Sequence, residues 1–236
     1  MRSEVYNCDC LEFMRGLPDK YFQLAVADPP YGINAPKMVM GQGFSGGKYT
    51  PSKRLNGGAG KLKNRVPNQS DCGWDAQPPK QVFFDELFRV CSNVIIWGGN
   101  YFCLPPTRCV ICWDKMQPWE NFSQVELAWT SYDKPAKLYR QINSGANSER
   151  KIHPTQKPIE LYAYLLRTFA NPGDLIFDPM RGSQSSRIAA WKMGFDFIGC
   201  ELDAEYFAKG CERFDRECKG IIVLPNGHTI TEQTLF

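Results

Sequence analysis

Apolar residues fall along this chain in short runs that stop at prolines, glycines or acids, with stretches of helical spacing between them. Tyr21-Phe22-Gln23-Leu24-Ala25-Val26-Ala27 is one such run and ends at Asp28-Pro29-Pro30-Tyr31-Gly32. Two prolines in tandem cannot continue a strand ladder. Asp28 is therefore placed at a strand's carboxyl end, held by a rigid turn. Residues 83–90 have helical spacing, 93–97 read as a strand broken by Gly98-Gly99, and 108–113 with 125–130 read as a hairpin. Residues 158–170 are amphipathic, with Leu161, Tyr164, Leu165, Thr168 and Phe169 on one side; Pro158 suits a first helical turn and Asn171-Pro172-Gly173 ends the helix. Leu175-Ile176-Phe177 is a strand closing on Asp178-Pro179-Met180-Arg181-Gly182-Ser183-Gln184-Ser185-Ser186. A helix over 186–193, a strand over 195–200 ending in Glu201, and a helix over 204–218 follow. Strand, helix, strand, helix in this order predicts parallel strands with right-handed crossovers, hence an open α/β sheet.

Composition narrows the class without naming a partner. The chain has 236 residues, 43% hydrophobic and 22% charged, which favours one globular domain over 1–236 and argues against disorder. Its longest apolar runs, 94–97 and 221–224, are far below the ~20 residues of a membrane helix. The first residues lack the apolar region of a signal peptide, so a cytoplasmic location and reduced cysteines are expected. Among the ten cysteines, Cys109 and Cys112 have CxxC spacing, but Val110, Ile111 and Trp113 make that segment a buried strand. With only His153 and His228 besides, no metal site is expected.

The net charge of +3 averages unlike segments. Residues 35–70 carry seven basic side chains (Lys37, Lys48, Lys53, Arg54, Lys61, Lys63 and Arg65), seven glycines and no acid, leaving 21 basic against 25 acidic residues elsewhere. A basic, Gly-rich loop suits phosphate contacts, and a solvated linker has the same composition. Residues 131–157 form a second basic, turn-rich stretch.

In an open parallel sheet, ligands bind outside the carboxyl ends of strands where the winding reverses. Asp178 to Ser186 is a small-residue turn entering a helix, where backbone N–H groups can approach a ligand. Glu201 follows Gly182 by 19 residues, near the offset at which an acid accepts ribose hydroxyls. Only Gly182 occupies the turn, so the glycines that a pyrophosphate needs are absent and a nucleoside cofactor without phosphates is favoured. S-adenosylmethionine fits, with Lys157 a candidate cation for its carboxylate.

The Asp28-Pro29-Pro30-Tyr31 turn suits an exocyclic amino group on a base. The lone pair of such a nitrogen is delocalised into the ring. Two acceptors aimed at its hydrogens, the Asp28 carboxylate and the Pro29 carbonyl, draw the nitrogen toward tetrahedral geometry and free the lone pair. Tyr31 offers a face for a base flipped out of the duplex. Neither a metal nor a covalent intermediate is required, because positioning and electrostatics suffice.

These motifs in this order resemble the DNA amino-methyltransferases of the permuted beta group, most closely the adenine-N6 enzymes. The resemblance is carried by Tyr6-Asn7-Cys8-Asp9-Cys10, Asp28 to Tyr31, Ile96-Trp97-Gly98-Gly99-Asn100-Tyr101-Phe102, Trp113-Asp114-Lys115, Ala128-Trp129-Thr130 and His153-Pro154-Thr155-Gln156-Lys157-Pro158. It implies a Rossmann-like S-adenosylmethionine-dependent methyltransferase fold, circularly permuted, with an open, mostly parallel sheet and one antiparallel hairpin strand. It also implies roles by position. Asp28, Pro29, Pro30 and Tyr31 hold the amino group and base, and Thr155 and Lys157 contact the methionine carboxylate. Asp178, Pro179, Gly182, Ser183, Gln184 and Ser185 form the cofactor turn, and Glu201 holds the ribose. A basic insert over 36–73, including Lys48, Lys53, Arg54, Lys61, Lys63 and Arg65, and a target-recognition-like segment over 114–151 approach double-stranded DNA. Homodimers are common in the group. A cytosine-N4 enzyme is the nearest rival, although that chemistry more often carries Ser in place of Asp28. A cofactor-impaired DNA-binding regulator is the rival from another class.

One departure stands out. The family turn resembles DPFxGSGTT, and here Gln184 replaces its second glycine while Arg181 precedes Gly182. Gln184 is tolerated if its φ is negative and its side chain points away from the ligand; a positive φ is expected to weaken cofactor binding. At the other end, Gln233, Leu235 and Phe236 resemble the short Gln-x-Leu-Phe peptides that dock on bacterial sliding clamps. On so short a match, a strand end or plain tail is the simpler account.

Overall fold

The apolar runs at 24–27, 94–97, 176–177 and 197–200 are buried throughout, the mark of strands covered by helices on both faces. The computed structural model describes residues 1–33, 75–116, 123–142, 152–153, 155–223 and 229–231. In chain order these form β1 (Ser3–Asn7), α1 (Cys10–Arg15), β2 (Phe22–Ala27), α2 (Gln81–Val90), β3 (Cys91–Trp97) and a 3₁₀ turn (Gly99–Tyr101). Then come β4 (Ile111–Asp114), β5 (Val125–Thr130), β6 (Lys137–Arg140), α3 (Ile159–Phe169), β7 (Leu175–Asp178) and α4 (Ser185–Lys192). β8 (Asp196–Glu201), α5 (Ala204–Lys219), β9 (Ile221–Val223) and β10 (Thr229–Thr231) complete the described order.

Eight strands form one sheet in the order β1-β8-β7-β2-β3-β5-β4-β6. β5 pairs antiparallel with β3 and β4, and every other pairing in this sheet is parallel. The open sheet with a single antiparallel hairpin strand is thus the one the sequence predicts. From β7 the chain moves outward through β8, and from β2 it moves the other way through β3. The winding reverses between β7 and β2, which opens a crevice outside their carboxyl ends.

Alternate residues of the central strands feed two apolar layers. Leu24, Val26, Ile95, Trp97 and Ile176 pack with Leu161, Leu165, Ala189 and Ala190 of α3 and α4. Ala25, Ala27, Ile96, Phe177 and Ile198 face Met14, Phe83, Phe84 and Leu87 of α1 and α2. Asp9 caps α1 by accepting from the N–H groups of Leu11 (2.7 Å) and Glu12 (3.2 Å), and Asp203 caps α5 through Glu205 (2.8 Å) and Tyr206 (2.9 Å). Each such cap is worth about 1 kcal/mol.

The structure adds elements that the hydrophobic pattern did not announce. β1 lines the edge of the sheet beside β8, and its residues, Ser-Glu-Val-Tyr-Asn, are all half-buried or exposed. β6 forms the opposite edge inside the stretch read as turn-rich, and its residues alternate half-buried and exposed. Edge strands need no continuous apolar run, because one side meets solvent. The insert expected over 36–73 lies outside the described residues, and the 114–151 segment is described only at 114–116 and 123–142. No described helix is long and apolar enough to cross a membrane.

Candidate active site

Three carboxylates gather at the crevice because three neighbouring strands end on them. Asp28 follows β2, Asp178 closes β7 and Glu201 closes β8. On the β2 side, tandem prolines turn the chain so that Tyr31 folds back, and its hydroxyl donates to Asp28 Oδ1 at 2.8 Å. Lys157, only 5% exposed, donates from Nζ to the same Oδ1 at 2.6 Å and to the Tyr31 hydroxyl at 3.1 Å. Glu126 reaches in from β5, with Oε2 3.2 Å from Lys157 Nζ, and its other oxygen pairs with Lys115. The result is a chain of alternating charge, Asp28, Lys157, Glu126, Lys115.

Burial raises the Asp28 carboxyl above its usual range, against the opposing pull of Lys157. Burial also works against the Lys157 ammonium, yet Asp28 and Glu126 together outweigh it and raise its pKa. For Glu126 the two lysines prevail over burial and hold the carboxyl low. The tyrosine is fixed as firmly as the acid. Its ring stacks on Tyr101, with centroids 5.0 Å apart and planes 13° apart. Behind it Gly98, at φ +69, lies so close that a Cβ there would stand 2.3 Å from a ring carbon. Gly98 is thus required twice, for its left-handed backbone and for Tyr31.

On the β7–β8 side the acids carry no ion pair among the described residues. Asp178 Oδ1 accepts from the Met180 N–H at 3.0 Å and Oδ2 from Ser186 Oγ at 2.5 Å, and burial pushes the carboxyl up to about 7. Glu201 Oε2 accepts from the Gly182 N–H at 2.9 Å and Oε1 from the Asp203 N–H at 3.0 Å, while burial raises its pKa. Each Glu201 oxygen is oriented by one backbone bond and keeps a lone pair, which suits a diol. Thr155 Oγ1 lies 3.1 Å from His153 Nδ1, and the imidazole packs against the Gly182 turn and edge-on to Tyr206 at 4.4 Å. Burial lowers the His153 pKa to about 4, so the ring is neutral. Ser185 Oγ donates to the Lys157 carbonyl at 2.7 Å, tying the 155–158 segment to the turn.

The structure brings together Asp28, Tyr31, Lys157, Asp178 and Glu201, with Pro29 and Pro179 buried beside them. It moves other residues from where the sequence placed them. The Lys157 ammonium is bonded to Asp28 rather than turned toward the cofactor turn. Gln184 has φ +64, the positive value. Its side chain points away, with Nε2 3.4 Å from Cys211 Sγ and Oε1 accepting from Arg187 at 2.9 Å. Ser185 Oγ and the Ser183 carbonyl both accept from Arg213, at 2.9 and 2.7 Å, so these groups brace the turn from behind. Arg181 lies buried over the Phe207 ring, with its guanidinium nitrogens lacking a hydrogen-bond partner among the described residues. Lys48, Lys53, Arg54, Lys61, Lys63 and Arg65 lie outside the described residues, as do Gln233, Leu235 and Phe236. Among the described residues no cluster of His, Cys, Asp or Glu could hold a metal ion.

Glu126 and Tyr101 were not read from the sequence as site residues. For Glu126 a signal existed: a charged residue in phase with Ala128 and Thr130, both fully buried, is an acid on the core side of a strand.

An open α/β sheet that sets an aspartate-proline-proline-tyrosine turn beside a nucleoside-cofactor turn defines the class of amino-methyltransferases. The family model described as DNA methylase matches residues 61–210, and the chain belongs to that family. It is 33% identical over 102 residues to the Type II methyltransferase M.HpaI of Haemophilus parainfluenzae, a match covering 36% of this chain and 32% of that protein. It is 40% identical over 67 residues to the DNA adenine methyltransferase YhdJ of Escherichia coli K12, covering 28% of this chain and 23% of that one. The matched stretches thus span a third or less of these relatives. Among solved structures, a putative DNA modification methylase from Thermus thermophilus, complexed with S-adenosyl-L-methionine, superposes with a TM-score of 0.55 at 19% identity, over 92% of this chain and 95% of that one. The cytosine-N4-specific PvuII DNA methyltransferase superposes at 0.58 with 14% identity, over 93% and 94%. At such identities the likeness is one of fold.

Proposed function

We propose that the chain transfers a methyl group from S-adenosylmethionine to the exocyclic N6 amino group of adenine in double-stranded DNA, acting on a flipped-out base. The observation that carries this reading is the half-buried Asp28 carboxylate, locked by Tyr31 and Lys157, at the switch point beside a ribose-suited Glu201. Family membership supports DNA as the substrate, and the adenine-methylating relative supports N6. The acid at position 28 favours adenine over cytosine N4, a distinction that the shared fold does not make.

The residues present fit the cofactor. Glu201 suits the ribose diol, the Gly182 turn gives close backbone approach, and Asp178 offers a carboxylate for the methionine ammonium. When bound, the cofactor supplies an electrophilic methyl group on a sulfonium. Asp28 and the Pro29 carbonyl draw the amino nitrogen toward tetrahedral geometry, and Tyr31 supports the base. Exchange of the methyl group's bond to sulfur for one to nitrogen would leave the amino group with one proton to lose, and Asp28, the acceptor aimed at its hydrogens, would take it. Proximity and preorganised acceptors account for such catalysis without a metal.

The basic residues of the 36–73 insert are assigned to the phosphate backbone. Neutralising Lys53, Arg54, Lys61 and Lys63 is expected to weaken DNA binding and flatten its salt dependence. The decisive experiment is expression in a methylation-free bacterial host followed by single-molecule sequencing of its genome. N6-methyladenine at a short recurring site is expected; N4-methylcytosine supports the rival chemistry, and an unmodified genome with retained DNA binding supports a regulator.

A further inference from the structure

The Asp28 carboxylate is already occupied. Its Oδ1 accepts from both Lys157 (2.6 Å) and Tyr31 (2.8 Å), and a carboxylate oxygen has two lone pairs. A base amino hydrogen arriving at Oδ1 must displace one of these donors. At Oδ2 it meets a carboxylate whose charge a neighbouring ammonium draws off. Either way, full acceptor strength requires Lys157 to move. A displaced ammonium that is 5% exposed cannot stay unpaired.

One acceptor stands ready. Glu126 Oε2 is 3.2 Å from Lys157 Nζ, is buried, and has no aligned hydrogen bond among the described residues. Lys115 holds the other oxygen and keeps the carboxylate ionised and oriented. A small swing of the Lys157 side chain would exchange Asp28 for Glu126, and the charges of the four residues sum to zero before and after.

We propose that Glu126 is a positioning residue for methyl transfer, receiving the Lys157 ammonium when the amino group of the target base takes its place on Asp28. The inference rests on the reading of the chain as a DNA amino-methyltransferase and assigns a role to a residue which that reading does not use.

The test is Glu126→Gln, which keeps the shape and removes the charge. Single-turnover methylation at saturating cofactor and duplex is expected to slow on the order of ten- to a hundredfold, with cofactor affinity within about twofold of wild type. The variant's rate should climb at lower pH than the wild type's. Its Lys157, left with one carboxylate, then loses its proton more readily and releases Asp28. The other titratable groups facing this cluster are Tyr31, Tyr162, His153, Asp178 and Lys115. They are common to both proteins, so the difference between the two profiles reports on Lys157. Glu126→Asp, which retains the charge, is expected to slow the reaction less and to keep the wild-type profile.

If Glu126→Gln does not fold, judged by its thermal transition, Glu126→Asp decides alone: a slowed rate at unchanged cofactor affinity supports the role, and wild-type kinetics overturn it. Equal rate and profile in a folded Glu126→Gln overturn it too, as does a rate loss matched by lost cofactor affinity. A wild-type protein that methylates no DNA overturns the underlying reading and this inference together.

Discussion

The two walls of the crevice hold their acids in opposite ways. On the β2–β5 wall, Asp28 and Glu126 are threaded between Lys157 and Lys115, so the proposed acceptor is neutralised before any substrate arrives. On the β7–β8 wall, Asp178 and Glu201 are held by backbone N–H groups and one serine hydroxyl, with no cation among the described residues bonded to either. The first wall needs a rearrangement to work. The second is an oriented pair of acceptors that a cationic, hydroxyl-bearing ligand can meet directly. A reaction that binds its cofactor readily and guards its acceptor until a base is in place would require this division.

The comparison breaks most sharply at Asp28. Asp28→Ala removes the acceptor and leaves Lys157 to Glu126, so methylation should fall by about a hundred- to a thousandfold or more, measured by tritium transfer to DNA. Cofactor and DNA affinities should change little, because neither depends on that carboxylate. Glu201→Ala is the counterpart on the other wall. Losing charged hydrogen bonds worth ~1.5–3 kcal/mol should weaken cofactor binding about ten- to a hundredfold by calorimetry. The rate at saturating cofactor should stay near wild type. A Glu201 variant as slow at saturation as the Asp28 variant would end the distinction between the walls.

A smaller effect follows from proton binding at Asp178. Its carboxyl is raised to about 7, so below that pH the chain by itself carries it protonated. A ligand ammonium prefers the ionised form. Cofactor affinity should therefore rise with pH up to about 7 and then level off, by roughly tenfold per unit at most. Calorimetry from about pH 5.5 to 8 checks this, and Asp178→Asn should be weak and flat across the same range. Dependence that persists in the Asn variant would move the titration elsewhere, Glu201 being the other raised acid on that wall.

The sequence made the centre of the molecule legible and left the edges dark. The β2, β3, β7 and β8 runs are apolar because both faces are covered, and the acids that stop β2, β7 and β8 are the candidate site residues. β1 and β6 have only one flank in the sheet and carry polar residues that no apolar pattern marks. Within the site, Asp28 and Glu201 were legible because each ends a strand. The partner of Lys157 was not, since the two lie 129 residues apart in the chain and meet only in the folded sheet. Glu126 was obscured differently. It sits on the one antiparallel strand of the eight-stranded sheet, where a lone acid reads as a solvent-facing residue until the sheet assigns its face.

Gln184 shows how the proposed cofactor turn absorbs a residue that its backbone disfavours. A side chain at φ +64 costs about 1–2 kcal/mol relative to glycine. The side chain is seated where α5 carries Gly210, and a Cβ at that glycine would stand 2.7 Å from Gln184 Nε2 and 2.8 Å from Cγ. The space that α5 lacks is the space that Gln184 fills. Gly210→Ala alone gains ~1 kcal/mol of helix propensity but overpacks Gln184 by ~1–3 kcal/mol, a net loss. Gln184→Gly alone relieves the backbone but empties the seat and removes one acceptor from Arg187, which keeps Ser3 Oγ and the Ser3 carbonyl. The double variant fills the seat with the new methyl group and should be more stable than the sum of the singles by about 1–2 kcal/mol in denaturant unfolding. Because the left-handed turn is already formed in the chain by itself, its strain falls on folding and not on binding. Cofactor affinity should then stay within about twofold across the cycle, a change of ~0.4 kcal/mol. Affinity that tightens tenfold on Gln184→Gly would show instead that the turn must change shape to bind.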